Sequence, residues 1–594
     1  MAARESAFMN LVYIGSPVWI FNPDSDTRRT GNRKENEPTE IEAFMGEKKQ
    51  RNDGWKGLAL AILSGGLLAL AYPERHIWPL ALVSYIPLLI TLSRQEHWKA
   101  GLLRGWLTGV VLHLGCYYWV YHTMISMSDL PPVWAAVACL LFGMYSGLQH
   151  GLFGALFPWI YKRAGGHAIW MIPVLYAVTE TIFPHVFPWY LGNVLYSVPE
   201  LVQTADLAGV HGNSFILVLS SALLMHAFVK TRKWADLSAT RALGMWVLLW
   251  GSVLTYGLIR ISLFDAAPAE KELRVGLIQA NITPQDKKKK GASRGMIYDK
   301  GVEQMKSLEG DALDLIVWPE GGYPYYFPND IITEESKEKK SVGKGYAGKL
   351  QKMVKERGTT FTFGALTKPS DGGKLRNTFI QLAPDGSFEE VHVKRVLVPF
   401  GEYIPFSDWF PFVKGKVKGI GDMAPGEHRV VFDVNGVKIL PSICYEAIYP
   451  GLTREAVMED PKAEMILNIT NDMWFGDTSA LTMHLMVQTS RAVELRVPLV
   501  RSTNSGITAF VDAMGRLSGE TPRYEALATQ GLVEVKSTFS LYSHVGDIPL
   551  GAVTVMMFIL CWFRPVQRKE DFLETSIPQK KRTPEVDSDS PPVI

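Results

Sequence analysis

Pro441-Ser442-Ile443-Cys444-Tyr445-Glu446 is the stretch on which the reading of this chain turns. It closes an apolar run, Val437 to Ile443, with the character of a buried strand. A cysteine stands where the strand stops, and a carboxylate follows two residues on. Of the four cysteines, Cys116, Cys139 and Cys561 fall inside long apolar segments, where a thiol is ordinarily a small hydrophobe. Cys444 alone lies in a polar region. A lone cysteine at a strand end is more often structural than catalytic, so its meaning depends on its partners.

Two other ionisable residues share that setting. Glu320 ends the run Asp314 to Trp318, after Pro319, and Lys394 follows Val391 to Val393. Open α/β sheets place their sites at the carboxyl ends of strands. The three residue types are complementary. A thiol needs a base to become a thiolate, and Glu320 can supply it. A lysine stabilises the oxyanion formed when a thiolate attacks a carbonyl. Taken singly, Glu320 and Lys394 read as solvated strand ends or an ordinary ion pair; taken with Cys444 they point to catalysis.

Composition sets the frame. Across 594 residues, 61 Lys+Arg against 59 Asp+Glu leave a net charge of +2, which points to no nucleic-acid partner. Hydrophobic residues make up 47% and charged ones only 20%, and 17 tryptophans suit membrane-interface belts. The cysteines form no disulfide framework, and no H-E-x-x-H or C-x-x-C spacing is present, so neither a metal nor a cofactor is expected.

The apolar residues gather into long segments at 55–72, 77–93, 101–121, 133–160, 167–184, 212–229 and 242–263, with an eighth at 546–563. Most approach the roughly 20 residues that cross a bilayer core. Basic residues alternate along them. Lys48, Lys49, Arg51 and Lys56 precede the first segment; Arg94, Lys99 and Arg104 follow the second; Lys162 and Arg163 the fourth; Lys230, Arg232, Lys233 and Arg241 the sixth; Arg564, Arg568 and Lys569 the eighth. The opposite loops carry only Arg75. The positive-inside rule then predicts eight spans, both termini cytoplasmic, and the polar region between segments seven and eight outside.

The expected organisation is a polar, disordered extension at 1–54, a seven-helix membrane domain at 55–265, an extracytoplasmic domain at 270–540, an eighth membrane helix at 546–563 and a charged, disordered tail at 564–594. The apolar patch Leu11 to Phe21 lacks the flanks of a signal peptide. The outer region alternates short β-rich runs with helical patterns such as Thr482–Leu495, which marks an α/β domain. Two literal motif matches lack the context their chemistry needs. Gly343 to Gly348 fits G-x-G-x-x-G after a polar run, and Gly291 to Gly295 fits G-x-S-x-G in a lysine-rich loop.

Glu, Lys and Cys after three strands resemble the nitrilase superfamily, whose domain is a four-layer αββα sandwich. More specific motifs are W-P-E at Trp318 to Glu320, the run Lys394 to Phe406, I-C-Y-E at Ile443 to Glu446, N-D-M-W-F-G at Asn471 to Gly476 and the run Arg501 to Ala509. With Cys116 to Trp119, Phe187 to Trp189 and Gln203 to Gly212, they are similar to the apolipoprotein N-acyltransferase family over residues 55–565. The resemblance implies a multi-pass helical membrane domain joined to a nitrilase-like α/β sandwich. It further implies a bacterial inner-membrane enzyme with a periplasmic catalytic domain, a phospholipid acyl donor and a diacylglyceryl apolipoprotein acceptor. Cys444 would be the nucleophile, Glu320 the base and Lys394 the oxyanion-stabilising group. Glu402 and Glu446, with Tyr445, would support them, and Trp119, Trp189, Trp409, Phe410 and Trp474 would be substrate contacts. The family's stretch after the first strand carries a tryptophan; here Asn281-Ile-Thr-Pro-Gln285 runs into Lys287 to Lys290 with none. Two rival classes share parts of this pattern: a membrane-tethered amidohydrolase using the same triad with water as acceptor, and a non-enzymatic transporter or receptor, for which the spans offer few ionisable residues, such as Glu180 and His113.

Overall fold

The computed structural model describes residues 40–75, 77–127, 131–228, 237–283, 294–308, 312–328, 345–369, 373–404 and 422–564. The patch Leu11 to Phe21, the run Lys287 to Lys290, the aromatics Phe406, Trp409, Phe410 and Phe412, and the tail after Arg564 lie outside these residues. Of the unit Met1–Gly54, the described part is the beginning of the helix Glu40–Ala71.

The second unit is Trp55–Ile594. Among the described residues four apolar stretches are long enough to cross a bilayer core: Gly54–Ala71, Pro132–Ile182, Ala205–Phe228 and Ala239–Ala266. Pro132–Ile182 comprises two helices, Pro132–Ala164 and Ala168–Ile182. Trp78–Ser93 and Ile548–Phe563 are apolar but shorter. The segment expected at 101–121 falls on Trp98–Cys116, and the chain breaks at Tyr117 before a short helix, Trp119–Met127. Glycine spacing sets one packing contact. A Cβ on Gly101 or Gly105 would lie 2.0 Å from the carbonyl oxygen of Gly154 or His150, so Trp98–Cys116 meets Pro132–Ala164 backbone to backbone. Small residues four apart permit that approach between apolar helices.

The polar region folds as two facing sheets. The first has the order β13-β1-β2-β4-β5-β6, with β3 paired to β4; its strands are β1 (Lys271–Gln279), β2 (Leu315–Val317), β3 (Tyr326–Pro328), β4 (Thr360–Lys368), β5 (Arg376–Leu382), β6 (Phe388–Val393) and β13 (Leu527–Val535). The second has the order β12-β11-β10-β9-β8-β7, from β7 (Phe432–Val434), β8 (Val437–Ile443), β9 (Met465–Thr470), β10 (Leu499–Thr503), β11 (Ala509–Val511) and β12 (Leu517–Ser518). Strands β1, β2 and β4 run parallel, as do β8, β9 and β10.

Alternation along the strands builds the layers. Leu273, Val275, Leu277, Leu315 and Val317 pack between the sheets with Val437, Ile439, Met465, Leu467 and Ile469. Ile316, Trp318, Phe361 and Phe363 turn the other way, onto the helices Arg294–Lys306 and Gly345–Arg357. Leu440, Ile466 and Leu499 meet the helices Pro450–Met458 and Ser479–Leu495. Helix, sheet, sheet, helix is the αββα sandwich. Because both faces of each sheet are covered, the central strands read as unbroken apolar runs.

Helices and sandwich meet through buried polar contacts. Arg496, in left-handed conformation at φ 59°, donates to Asp206 at 2.7 and 3.0 Å, and the Val210 N–H donates to Glu494 at 2.7 Å. Breaking one partner of such a buried pair strands the other charge, so these contacts fix the seam more than they add net stability.

Candidate active site

Strand β8 delivers Cys444. The chain turns sharply there into a short 3-10 helix, Cys444–Ile448, with Cys444 at φ 51°. A side chain in that region costs about 1–3 kcal/mol and persists only where the surroundings impose it. Glu446 is what imposes it. One of its carboxylate oxygens accepts the Ile443 N–H at 2.7 Å and lies 2.9 Å from His392 Nε2; the other accepts the Arg395 N–H at 2.5 Å. Ile443 precedes Cys444 and Arg395 follows Lys394, so one buried carboxylate ties the end of β6 to the end of β8. Burial alone would raise the Glu446 pKa, but His392 and the two backbone N–H groups hold it below the ordinary carboxylate value.

Lys394 leaves β6 with its own N–H donating to the Asn377 carbonyl at 2.9 Å. Its side chain is buried between two carboxylates, with Nζ 2.8 Å from Glu402 and 3.8 Å from Glu320. Burial works against the ammonium, but Glu320, Cys444 and Glu402 together raise its pKa. Glu402 also accepts the Val398 N–H at 2.8 Å, which folds the turn after Lys394 back on itself.

Glu320 sits just past β2. It accepts from the Asn377 side chain at 2.7 Å and from the Asn471 N–H at 2.9 Å. Asn377 also donates to Glu402 at 3.0 Å, so one amide bridges both carboxylates. Burial raises the Glu320 pKa and Glu402 adds to it, against the opposing pull of Lys394. The Cys444 thiol is likewise raised, by burial first and then by Glu320, with Lys394 opposing. The three strand ends therefore converge on one charge network, with Lys394 as its cation.

Residues that did not announce themselves in the sequence complete it. Asp472 is fully buried and held well below the usual carboxylate range: burial opposes this, and Arg501, His484 and Thr470 outweigh it. His484 Nδ1 lies 3.0 Å from Asp472, and Arg501 pairs with the same carboxylate. The Asn504 side chain donates to Asn471 at 3.0 Å, which steadies the backbone N–H that reaches Glu320. Asp472, Arg501 and Asn504 stood inside quoted motifs without a role; Asn377 and His392 lie in strands and gave no signal.

The aromatic expectations divide. Trp119 and Trp189 are buried with ring centroids 5.7 Å apart. Phe187 joins them to Tyr445, at 5.1 Å from Trp119 and 5.7 Å from Tyr445, and the Tyr445 hydroxyl donates to the Val186 carbonyl. Both indole N–H groups are buried without a partner among the described residues. Trp474 lies apart from this cluster on an exposed face of the turn Asp472–Phe475. Among the described residues no group of three His, Cys, Asp or Glu side chains is placed to hold a metal ion.

A cysteine, a carboxylate and a lysine at the strand ends of an αββα sandwich accord with the match of residues 274–534 to the carbon-nitrogen hydrolase family. Residues 64–223 match the family described as the apolipoprotein N-acyltransferase N-terminal domain. An apolipoprotein N-acyltransferase of Geobacter metallireducens is 32% identical over 500 residues, covering 82% of this chain and 91% of that one. One from Pseudomonas syringae pv. tomato is 28% identical, covering 85% and 96%. This chain belongs to the apolipoprotein N-acyltransferase family.

Proposed function

We propose that this protein is an acyltransferase that N-acylates lipoproteins, taking the acyl chain from a phospholipid through a thioester on Cys444. The observation that carries the reading is the joining of Glu320, Lys394 and Cys444 in one charge network, in a chain of this family.

Thiol and base are matched for this chemistry. Both pKa values are raised, so the resting proton stays on sulfur and Glu320 is a stronger base than an exposed carboxylate. Glu320 takes the thiol proton as Cys444 Sγ bonds to the ester carbonyl carbon. The oxyanion that develops is stabilised by the Lys394 ammonium, which its raised pKa keeps charged. The C–O bond breaks, and Glu320 returns the proton to the leaving lysophospholipid oxygen. The free α-amino group of the S-diacylglyceryl-cysteine then attacks the thioester. It gives a proton to Glu320 and forms the amide as the C–S bond breaks, and the proton returns to sulfur. Glu402 holds Lys394, Glu446 holds the backbone on which Lys394 and Cys444 stand, and Tyr445 fixes the turn against the helices. The buried aromatic cluster of Trp119 and Trp189 lines the acyl route; Trp409, Phe410 and Trp474 are assigned to substrate contact at the membrane interface.

Eight spans, cytoplasmic termini and a periplasmic catalytic domain in a bacterial inner membrane are part of the same reading. The alternation of Lys and Arg between loops supports it, and six of the eight apolar segments each fall on one α-helix, while 77–93 and 101–121 are each divided between two shorter helices. Both substrates are anchored in one leaflet, so a site on the outer face reaches them without extracting either.

The test is incubation of the purified full-length protein with acyl-labelled phospholipid and no acceptor. A protein-bound label released by hydroxylamine is expected. If no adduct forms under conditions where acceptor lipoprotein is acylated, the two-step scheme is wrong; steady release of free fatty acid marks a hydrolase instead.

A structural consequence follows from Gly364 on β4. A Cβ there would lie 2.7 Å from Glu320 Cα and 2.9 Å from Gly321 N, backbone atoms that cannot swing aside. Gly364→Ala is expected to slow thioester formation by about 10²-fold through displacement of the base. It should also lower stability by about 1–3 kcal/mol through overpacking. Single-turnover labelling and a thermal melt measure the two; an unchanged labelling rate would show that β4 does not position Glu320.

A further inference from the structure

The carboxyl ends of the strands face the helices. Beyond the Tyr445 contact to Val186, Ser479 donates to the Cys116 carbonyl at 3.1 Å and Arg523 pairs with Glu74 at 3.2 Å. Tyr524, beside Arg523, accepts from Asn281, just past the end of β1. A group bound at this edge therefore lies near the level at which the apolar helices end.

A cavity of about 340 Å³ opens at this edge. Its walls include Arg294, Gly321, Tyr323, Tyr325, Tyr326 and Leu366. Gly321 follows Glu320 directly, so the cavity begins at the backbone of the base. Leu366 lies two residues beyond Gly364 and on the same face of β4, the face that meets Glu320. The cavity thus borders the turn that follows Glu320.

Tyr323, Tyr325 and Tyr326 form one side of the wall beside the apolar Ile297, Pro324 and Leu366, and Arg294 is its one charged residue. The Arg294 guanidinium lies 5.9 Å from the Tyr325 ring centroid and 5.6 Å from that of Tyr326, and it has no carboxylate partner among the described residues. Stacking on aromatic faces steadies a guanidinium while its edge N–H groups stay free, and that edge matches a phosphate in bidentate fashion. Of the two substrates, only the acyl donor carries an invariant anion, its phosphodiester. The acceptor brings an amine and a peptide whose side chains vary. In a glycerophospholipid the phosphate is also only a few bonds from the ester to be cleaved, so a subsite bordering Glu320 is within its reach.

We propose that this cavity receives the phosphodiester head group of the acyl donor, with Arg294 pairing the phosphate and Tyr325 and Tyr326 holding the guanidinium in place. The inference rests on the acyltransfer reading above and assigns a part of the donor to residues outside the triad.

The test compares two acyl-labelled donors that differ in one charge: dioleoylphosphatidylmethanol, an anionic diester, and its methyl triester, which is neutral. Thioester formation on the full-length protein in mixed micelles is followed against the mole fraction of each. The wild type is expected to favour the diester by about tenfold or more, the scale of a charge-assisted bidentate pair. In Arg294→Ala the half-saturating diester fraction rises by a similar factor, and the preference shrinks to about twofold or less; Arg294→Lys keeps part of it. Transfer from preformed thioester to a diacylated lipopeptide keeps its dependence on acceptor concentration. Equal use of both donors by the wild type, a comparison that needs no variant, overturns the proposal. So does a preference that survives Arg294→Ala, or a loss confined to the acceptor step, which would make this a peptide subsite. A wild type that forms no thioester from any phospholipid fails at the underlying reading, and the subsite falls with it.

Discussion

In Cys444→Ala, no hydroxylamine-labile acyl adduct forms and acyl transfer falls by about 10⁴-fold or more, on the scale seen when an acyl-transfer nucleophile is removed. No other thiol replaces it. Cys116, Cys139 and Cys561 are buried within the helical segments, and none stands at a strand end beside Glu320 and Lys394. The fold is expected to survive. The left-handed turn at residue 444 is held by the Glu446 bond to the Ile443 N–H, which the substitution leaves in place, and alanine carries the same Cβ as cysteine. Stability should therefore change by no more than about 1 kcal/mol. Labelling with phospholipid and a thermal melt of the same preparation measure both. An adduct that persists in this variant would move the nucleophile elsewhere in the chain.

Glu320, Lys394 and Cys444 were legible as a set of candidates because each stands where a short apolar run meets a polar residue. The sequence predicts β8 to the residue, as Val437–Ile443. β13 was missed. It pairs along one edge of β1 and leaves most of its length exposed or half-buried, so Leu527–Val535 carries no continuous apolar run. β3 and β12 are too short to register as a pattern. Among site residues, Asn377 escaped because its role is relational. It lies within a strand and matters only because β5 brings it between Glu320 and Glu402, residues distant from it and from each other in sequence. His392 is the same case, meaningful only through Glu446. The helical region shows the converse limit. Hydropathy marked where the helices are, but the break at Tyr117 between Trp98–Cys116 and Trp119–Met127 follows from tertiary packing that a hydropathy run does not record.

The Lys394→Met protein should combine opposite responses to pH. Methionine fills much of the same volume but removes the one cation between Glu320 and Glu402, leaving both carboxylates without the ammonium now 3.8 and 2.8 Å away. Removing one partner of a buried ion pair costs about 3–5 kcal/mol, because the remaining charge is uncompensated. The system relieves that cost by taking up a proton. Glu320 is already raised by burial and by Glu402, and Lys394 is the strongest influence opposing that rise. Its loss sends the Glu320 pKa higher. As a base Glu320 must be ionised, so thioester formation falls by about 10²–10⁴-fold near neutrality. The acidic limb of the rate profile moves to higher pH, and part of the rate returns as pH rises. Stability runs the other way. A carboxyl whose folded pKa lies above its unfolded value, roughly 4.3, gives its full stabilisation below that value and loses it as pH rises through the folded pKa. The variant is thus expected to be most stable in acid and most active in alkali. Rate profiles and thermal midpoints across the same buffers test the pair of trends. A uniform loss of activity with no shift of the acidic limb would mean that Lys394 acts on the oxyanion alone and does not set the charge of the base.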